Sequence, residues 1–153
     1  IALIYCIRVC VIVTIYKEMI EQNIIKLASK LDNFGLSNSF THYSSARNKN
    51  CGDSIMLQLL VANKKIKSMK YETNSCVFCA ASASLLSDVI KNSNVIDFKK
   101  SFSNIERSKD NNNLVLPIKY NSFKELIKNK YANRIGCVIL PFKAVLKALK
   151  EKK

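Results

Sequence analysis

Three cysteine-bearing stretches lie far apart in this chain, and their chemistry makes sense only in a fold that brings them together. They are Cys51-Gly52-Asp53, the pair Cys76 and Cys79, and Cys137. Each cysteine stands where a chain reversal or a helix start is expected. Thiolates with one carboxylate suit zinc or iron, and no other set of residues in the sequence competes with this one.

The elements between these stretches are readable from periodicity. Met19, Ile20, Ile24, Ile25, Leu27 and Leu31 recur at helical spacing, which predicts a helix over 17–34 closed by Gly35. Residues 36–50 are rich in Ser, Asn and Thr and read as irregular, although part of this segment could add a third strand. Ser54–Ala62 and Ile66–Thr73 read as strands, with a hairpin turn at Asn63-Lys64-Lys65. Helical patterns follow over 77–91, 95–104, 122–130 and 138–150, with a solvated loop at 108–113 and a short apolar stretch at 114–118. The fold class expected is α+β, a small antiparallel sheet with helices packed on one face.

Composition narrows the setting. A chain of 153 residues with 48% hydrophobic content supports one modest core. The formal charge of +14 raises the question of nucleic acid. The charge is mostly lysine scattered among asparagines, with no arginine-rich face or aromatic ladder, so it reads as solvated faces and not as a nucleic-acid footprint. Acidic protein partners are the reading between these two. Six unevenly spaced cysteines do not form a disulfide framework, and reduced thiols in a cytoplasmic setting are expected. Residues 1–18 form an apolar segment, shorter than the ~20 residues that span a bilayer. They are read as an extension of the domain 19–153, with a membrane anchor as the other reading, and Cys6 and Cys10 are left outside the site.

Gly52 permits the tight backbone that aims Cys51 and Asp53 at one ion. Cys76 and Cys79 open a helix, where the dipole favours thiolates. A CxxC at a helix start also occurs in thioredoxin-type redox sites, but a hairpin and not a βαβ unit precedes it here, and no second CxxC completes a zinc ribbon. Cys137 opens the last helix. Together Cys51, Asp53, Cys76 and Cys137 could hold a tetrahedral zinc ion or a [2Fe–2S] cluster. His42, the only histidine, is expected in a loop. Serine–histidine–aspartate arrangements, phosphate loops and paired catalytic carboxylates are absent from the sequence.

Cys51-Gly52-Asp53, then Cys76 through Ser84 (CVFCAASAS), then Arg134-Ile135-Gly136-Cys137-Val138-Ile139-Leu140 resemble the IscU/NifU N-terminal family of iron–sulfur cluster assembly scaffolds. The resemblance runs over roughly 17–149. It implies the small α+β fold, and metal ligation of a transient [2Fe–2S] cluster or Zn2+ by Cys51, Asp53, Cys76 and Cys137. It further implies sulfur delivery by a cysteine desulfurase, with Cys137 as the persulfide acceptor, and cluster transfer to apo-protein recipients. Cys79 stands where relatives have a small residue, as an auxiliary ligand or a packing cysteine. Members of the IscU type carry His-Cys where this chain has Gly136-Cys137. The segment Leu116-Pro117-Ile118-Lys119 is too far upstream and too incomplete to serve as their chaperone motif, so no chaperone partner is carried over. Cys76 and Cys137 are 61 positions apart, closer to the SufU type, which implies a zinc-dependent sulfurtransferase as the alternative to a scaffold. His42-Tyr43 and Arg47-Asn48 resemble a family N-terminal motif but stand too close to Cys51 to occupy its place.

Overall fold

The structure, a computed structural model, describes residue 19, residues 21–109 and residues 116–151. The apolar segment 1–18 and most of the asparagine-rich loop therefore lie outside the described residues. Helix α1 covers 21–28 and is followed by strands β1 (His42–Arg47), β2 (Ser54–Ala62) and β3 (Lys65–Asn74). Helices α2 (Val77–Val89) and α3 (Val95–Lys109) come next, then two 3-10 segments at Ile118–Phe123 and Asn129–Arg134, and finally α4 (Ile135–Ala148).

The sheet is antiparallel in the order β1-β2-β3. Strand alternation sorts its faces: Ile55, Leu57 and Leu59 are buried, whereas Met56 between them is exposed. Met69 and Tyr71 of β3 join the buried face, and the partners Leu57↔Tyr71 and Leu59↔Met69 are in register. α4 packs on β1 and β2, and α2 packs on β3 and on α4. This is the expected α+β layering. The hairpin turn is tighter than expected, with Asn63 (φ +50) and Lys64 (φ +59) alone between the strands. Both in the left-handed region define a type I′ turn, which matches the right-handed twist of the strands.

Three expectations are corrected. Helix α1 ends at 28, not 34. Its expected last turn is used elsewhere: Tyr71 N donates to Asn33 O (3.2 Å) and Gly35 N to Tyr71 O (2.8 Å), so this stretch runs along the β3 edge. Gly35, at φ +95, serves that bend and does not cap the helix. The third strand that the approach to Cys51 could add is present as β1, whose inward residues are His42 and Ser44. Ser44 is tolerated there because its hydroxyl donates to Ala144 O of α4 at 2.6 Å, and His42 is a strand residue, not a loop one. The helix expected over 122–130 is replaced by the end of the first 3-10 segment, a turn over 124–127 and the start of the second. Tyr120 and Phe123 of the first segment and Leu126 of the turn are all buried.

The core gathers around Phe142 of α4. Its ring meets Phe98 and Phe102 of α3 and Tyr120 and Phe123 of the first 3-10 segment, with centroids 6.4, 6.4, 5.5 and 5.2 Å away. Offset and edge contacts at these separations are favourable beyond area burial. Among the described residues, no helix is long and apolar enough to cross a membrane.

Candidate metal centre

Cys51 lies in the loop that joins β1 to β2. Asn48 closes this loop: its N–H donates to Asp53 O (2.8 Å), its carbonyl accepts from Gly52 N (2.9 Å), and its Oδ1 accepts from Asn50 N (3.1 Å). Gly52 sits at φ +79, where a side chain would be strained. The loop thus presents an exposed Cys51 beside Asp53, which is only 6% exposed at the entry to β2.

Cys76 is the N-cap of α2, in extended conformation, and its own side chain makes no capping hydrogen bond. Its backbone N–H donates instead to Asp53 Oδ1 at 3.0 Å. The first turns of α2 and α4 carry no acidic residue of their own, so Asp53 supplies the negative charge that the α2 N-terminus favours. Cys137, in the first turn of α4, is 2% exposed. Its Sγ lies 3.5 Å from Cys51 Sγ. The ligand atoms of Cys51, Asp53 and Cys137 all fall within 4.8 Å of one another.

The structure therefore gathers Cys51, Asp53 and Cys137 into one cluster, and attaches Cys76 to it through the Asp53 carboxylate. Cys79 is not brought in. It points into the core with no exposure, and burial pushes its thiol up to about 12, which defeats the helix-dipole effect expected of it. Burial likewise raises the Cys137 thiol well above its ordinary range, reinforced by the neighbouring Cys51, Asp53 and Cys76 groups. For Asp53 burial acts upward too. The Cys76 thiol and backbone N–H, then the Cys137 and Cys51 thiols, outweigh it and hold the carboxyl below its usual value. None of these thiols meets Asp53 Oδ2 with hydrogen-bond geometry, and that oxygen is buried without a partner among the described residues. A buried carboxylate oxygen that no protein donor reaches, amid thiols, is a group that a cation could satisfy.

Sequence reasoning singled out Gly136 only as the place of a missing histidine, and missed its contact with Asn48. A Cβ built on Gly136 would lie 3.3 Å from Asn48 Nδ2, so the loop amide rests directly on the first turn of α4. The only signal was the Arg47-Asn48 pair, which stood too near Cys51 to be assigned a place.

A two-layer α+β domain with thiols and a carboxylate gathered at two helix N-termini belongs to the class of small metal- and cluster-handling proteins. Residues 19–136 match the NifU-like N-terminal domain, and the chain belongs to that family of iron–sulfur cluster assembly scaffolds. It is 30% identical over 138 residues to the iron–sulfur cluster assembly scaffold protein IscU of Thermotoga maritima, covering 90% of this chain and 96% of that protein. Among solved structures, the N-terminal part of a NifU-like nitrogen-fixing protein from Brucella abortus superimposes with a TM-score of 0.73 at 16% identity, covering 83% of this chain and 89% of that one. A candidate scaffold protein for the SUF system from Fervidobacterium islandicum gives 0.71 at 20% identity, over 82% and 93%. At these identities the structural likeness bears on the fold alone.

Proposed function

We propose that this protein is a scaffold on which a [2Fe–2S] cluster is assembled and from which it passes to apo-proteins. The observation that carries the reading is the buried, unpartnered Asp53 Oδ2 beside the clustered Cys51 and Cys137 sulfurs. Family membership supports the same cargo. Cys51, Cys76 and Cys137 serve as thiolate ligands and Asp53 as the labile one, since an oxygen ligand holds iron less firmly than a thiolate. A cluster held in this way can be released.

A cysteine desulfurase is the sulfur donor in this reading. Thiolate attack on its persulfide transfers the outer sulfur, and the desulfurase leaves as a thiolate, with no net oxidation. Cys51 is exposed whereas Cys137 is 2% exposed, so sulfur enters at Cys51; the Cys137 sulfur then attacks the outer sulfur of the Cys51 persulfide across the 3.5 Å gap, the S–S bond to Cys51 breaks, and the Cys137 proton passes to the departing Cys51 thiolate. Cys137 is the acceptor that keeps it away from solvent.

The second reading, a zinc-dependent sulfurtransferase, is compatible with one distance, which a single tetrahedral iron would fit equally well. Two thiolates on a single tetrahedral zinc stand about 3.8 Å apart, given Zn–S bonds of about 2.3 Å. The Cys51–Cys137 separation of 3.5 Å is close to that value.

The two readings part in one experiment. Apo-protein is incubated anaerobically with ferrous iron, cysteine and a desulfurase, followed by visible spectroscopy and transfer to an apo-ferredoxin. A transferable [2Fe–2S] chromophore that is lost in Asp53→Ala and in Cys→Ser variants is expected. Tight zinc binding with desulfurase stimulation and no chromophore overturns the scaffold in favour of sulfur transfer. Zinc that alters only thermal stability leaves a structural ion.

A further inference from the structure

The loop that carries Cys51 has no helix or strand of its own, yet its thiol is held 3.5 Å from one on α4. Something must fix that approach. Asn48 touches both sides of it. Its main chain and Oδ1 close the loop through three hydrogen bonds, to Asp53, Gly52 and Asn50. Its Nδ2 lies against Gly136, one residue before Cys137, at a distance where even a methyl group would be tight. One end of this amide therefore belongs to the Cys51 loop and the other to the α4 first turn.

We infer that Asn48 is the positioning residue that sets the Cys51–Cys137 approach, and that the bare Gly136 is what gives its amide room to do so. The side chain works as a spacer of fixed length between loop and helix. A side chain at 136 pushes the amide, and with it the loop, away from α4. Removing the amide frees the loop to swing. Outer-shell groups that orient metal ligands act in the same way and cost about 10–100-fold in affinity when lost. The consequence for metal rests on the proposed function, but the position of the loop does not.

The test therefore reads position without metal first. In a background of Cys6→Ser, Cys10→Ser and Cys76→Ser, with the buried Cys79 left in place, Cys51 and Cys137 are the pair that glutathione disulfide can oxidise. Two thiols form one disulfide while one glutathione disulfide becomes two glutathione thiols. The equilibrium constant of that exchange measures the pair's effective concentration. Asn48→Ala should lower it by about tenfold or more. Asn48→Ser keeps a turn-forming oxygen but not the reach to Gly136, and should lower it as well. Gly136→Ala should lower it in the Asn48 protein and leave it unchanged in the Asn48→Ala background. Alanine is the better helix former, so Gly136→Ala should not lower the melting temperature. A looser pair in a protein of equal or higher Tm cannot come from general destabilisation.

The same variants in the otherwise native chain are then titrated with Co2+. The expected result is weaker binding for Asn48→Ala, with loss of about a third of the thiolate-to-cobalt absorption per ion as one of three thiolates drops out. An effective concentration within twofold of the parent for Asn48→Ala overturns the inference. So does an equal effect of Gly136→Ala in both backgrounds, or a serine variant that behaves as the parent. A native chain that binds no Co2+ at all refutes the proposed function, while the disulfide equilibrium still decides the role of Asn48.

Discussion

The two ends of α4 do opposite things. Beyond Pro141, Phe142 is buried among four aromatic rings, and Val145 and Ala148 have no exposure. Before it, Cys137 faces an exposed loop thiol and a carboxylate with an unpaired buried oxygen. Pro141 separates the ends, because it has no N–H to give to the carbonyl of Cys137 four residues earlier. The aromatic cluster serves stability at one end, whereas at the other the Cys137 cluster is set beside the core residues Val138, Ile139 and Leu140. Loss of a group should therefore register as stability in the first and as affinity in the second.

The largest effect expected is on the aromatic end. Phe142→Ala should cost about 3–5 kcal/mol in urea denaturation of the apo-protein. Metal affinity measured under conditions where the variant is still folded should be unchanged, and a large drop there would show that the two ends are not independent. Asp53→Ala is the converse. It should weaken metal binding by at least the ~10–100-fold typical of losing a supporting group, as read by competition with a chelator. Its cost in apo stability should be only about 1–3 kcal/mol, from the lost Oδ1 bond to the Cys76 N–H.

Cys76 and Cys79 sharpen the same contrast within one turn of α2. Cys79→Ser should destabilise the fold by about 1–3 kcal/mol, because a hydroxyl enters the apolar core. It should leave metal stoichiometry as it is, whereas Cys76→Ser should reduce binding. A change in stoichiometry for Cys79→Ser would return Cys79 to the ligand set. A further contrast concerns pH. The Cys79 thiol ionises from its ordinary value of 9.0 in the unfolded chain but only near 12 in the folded one. Between these values the unfolded state has lost a proton that the folded state retains, so stability falls as pH rises, by at most ~1.4 kcal/mol per pH unit. Cys79→Ala should flatten that part of the stability curve; an unchanged slope would mean that the thiol is not buried as described.

The site was more legible in the sequence than the elements that support it. Three thiols and an aspartate at element boundaries are rare residue types whose convergence has a chemical reason. The hairpin of β2 and β3 showed in its period-2 pattern. β1 did not, because its inward side chains are His42 and Ser44, and Ser44 is buried only by virtue of a carbonyl 100 residues away. The segment 118–134 misled because buried residues three apart fit an α-helical stripe as readily as 3-10 turns. Cys79 stayed open between auxiliary ligand and packing cysteine for another reason: its place in a CxxC says nothing of whether the α2 first turn points it at the site or into the core. The contact of Asn48 with Gly136 was invisible because it exists only across the folded interface.

X-ray absorption of the zinc-loaded protein bears most directly on the central claim that Cys51, Asp53, Cys76 and Cys137 form one ligand set. The account predicts three sulfurs at about 2.3 Å and one oxygen at about 2.0–2.2 Å, with the oxygen lost or replaced by solvent in Asp53→Ala while the sulfurs remain. A shell with two sulfurs or fewer, or one that loses a sulfur in Cys79→Ser, would contradict it.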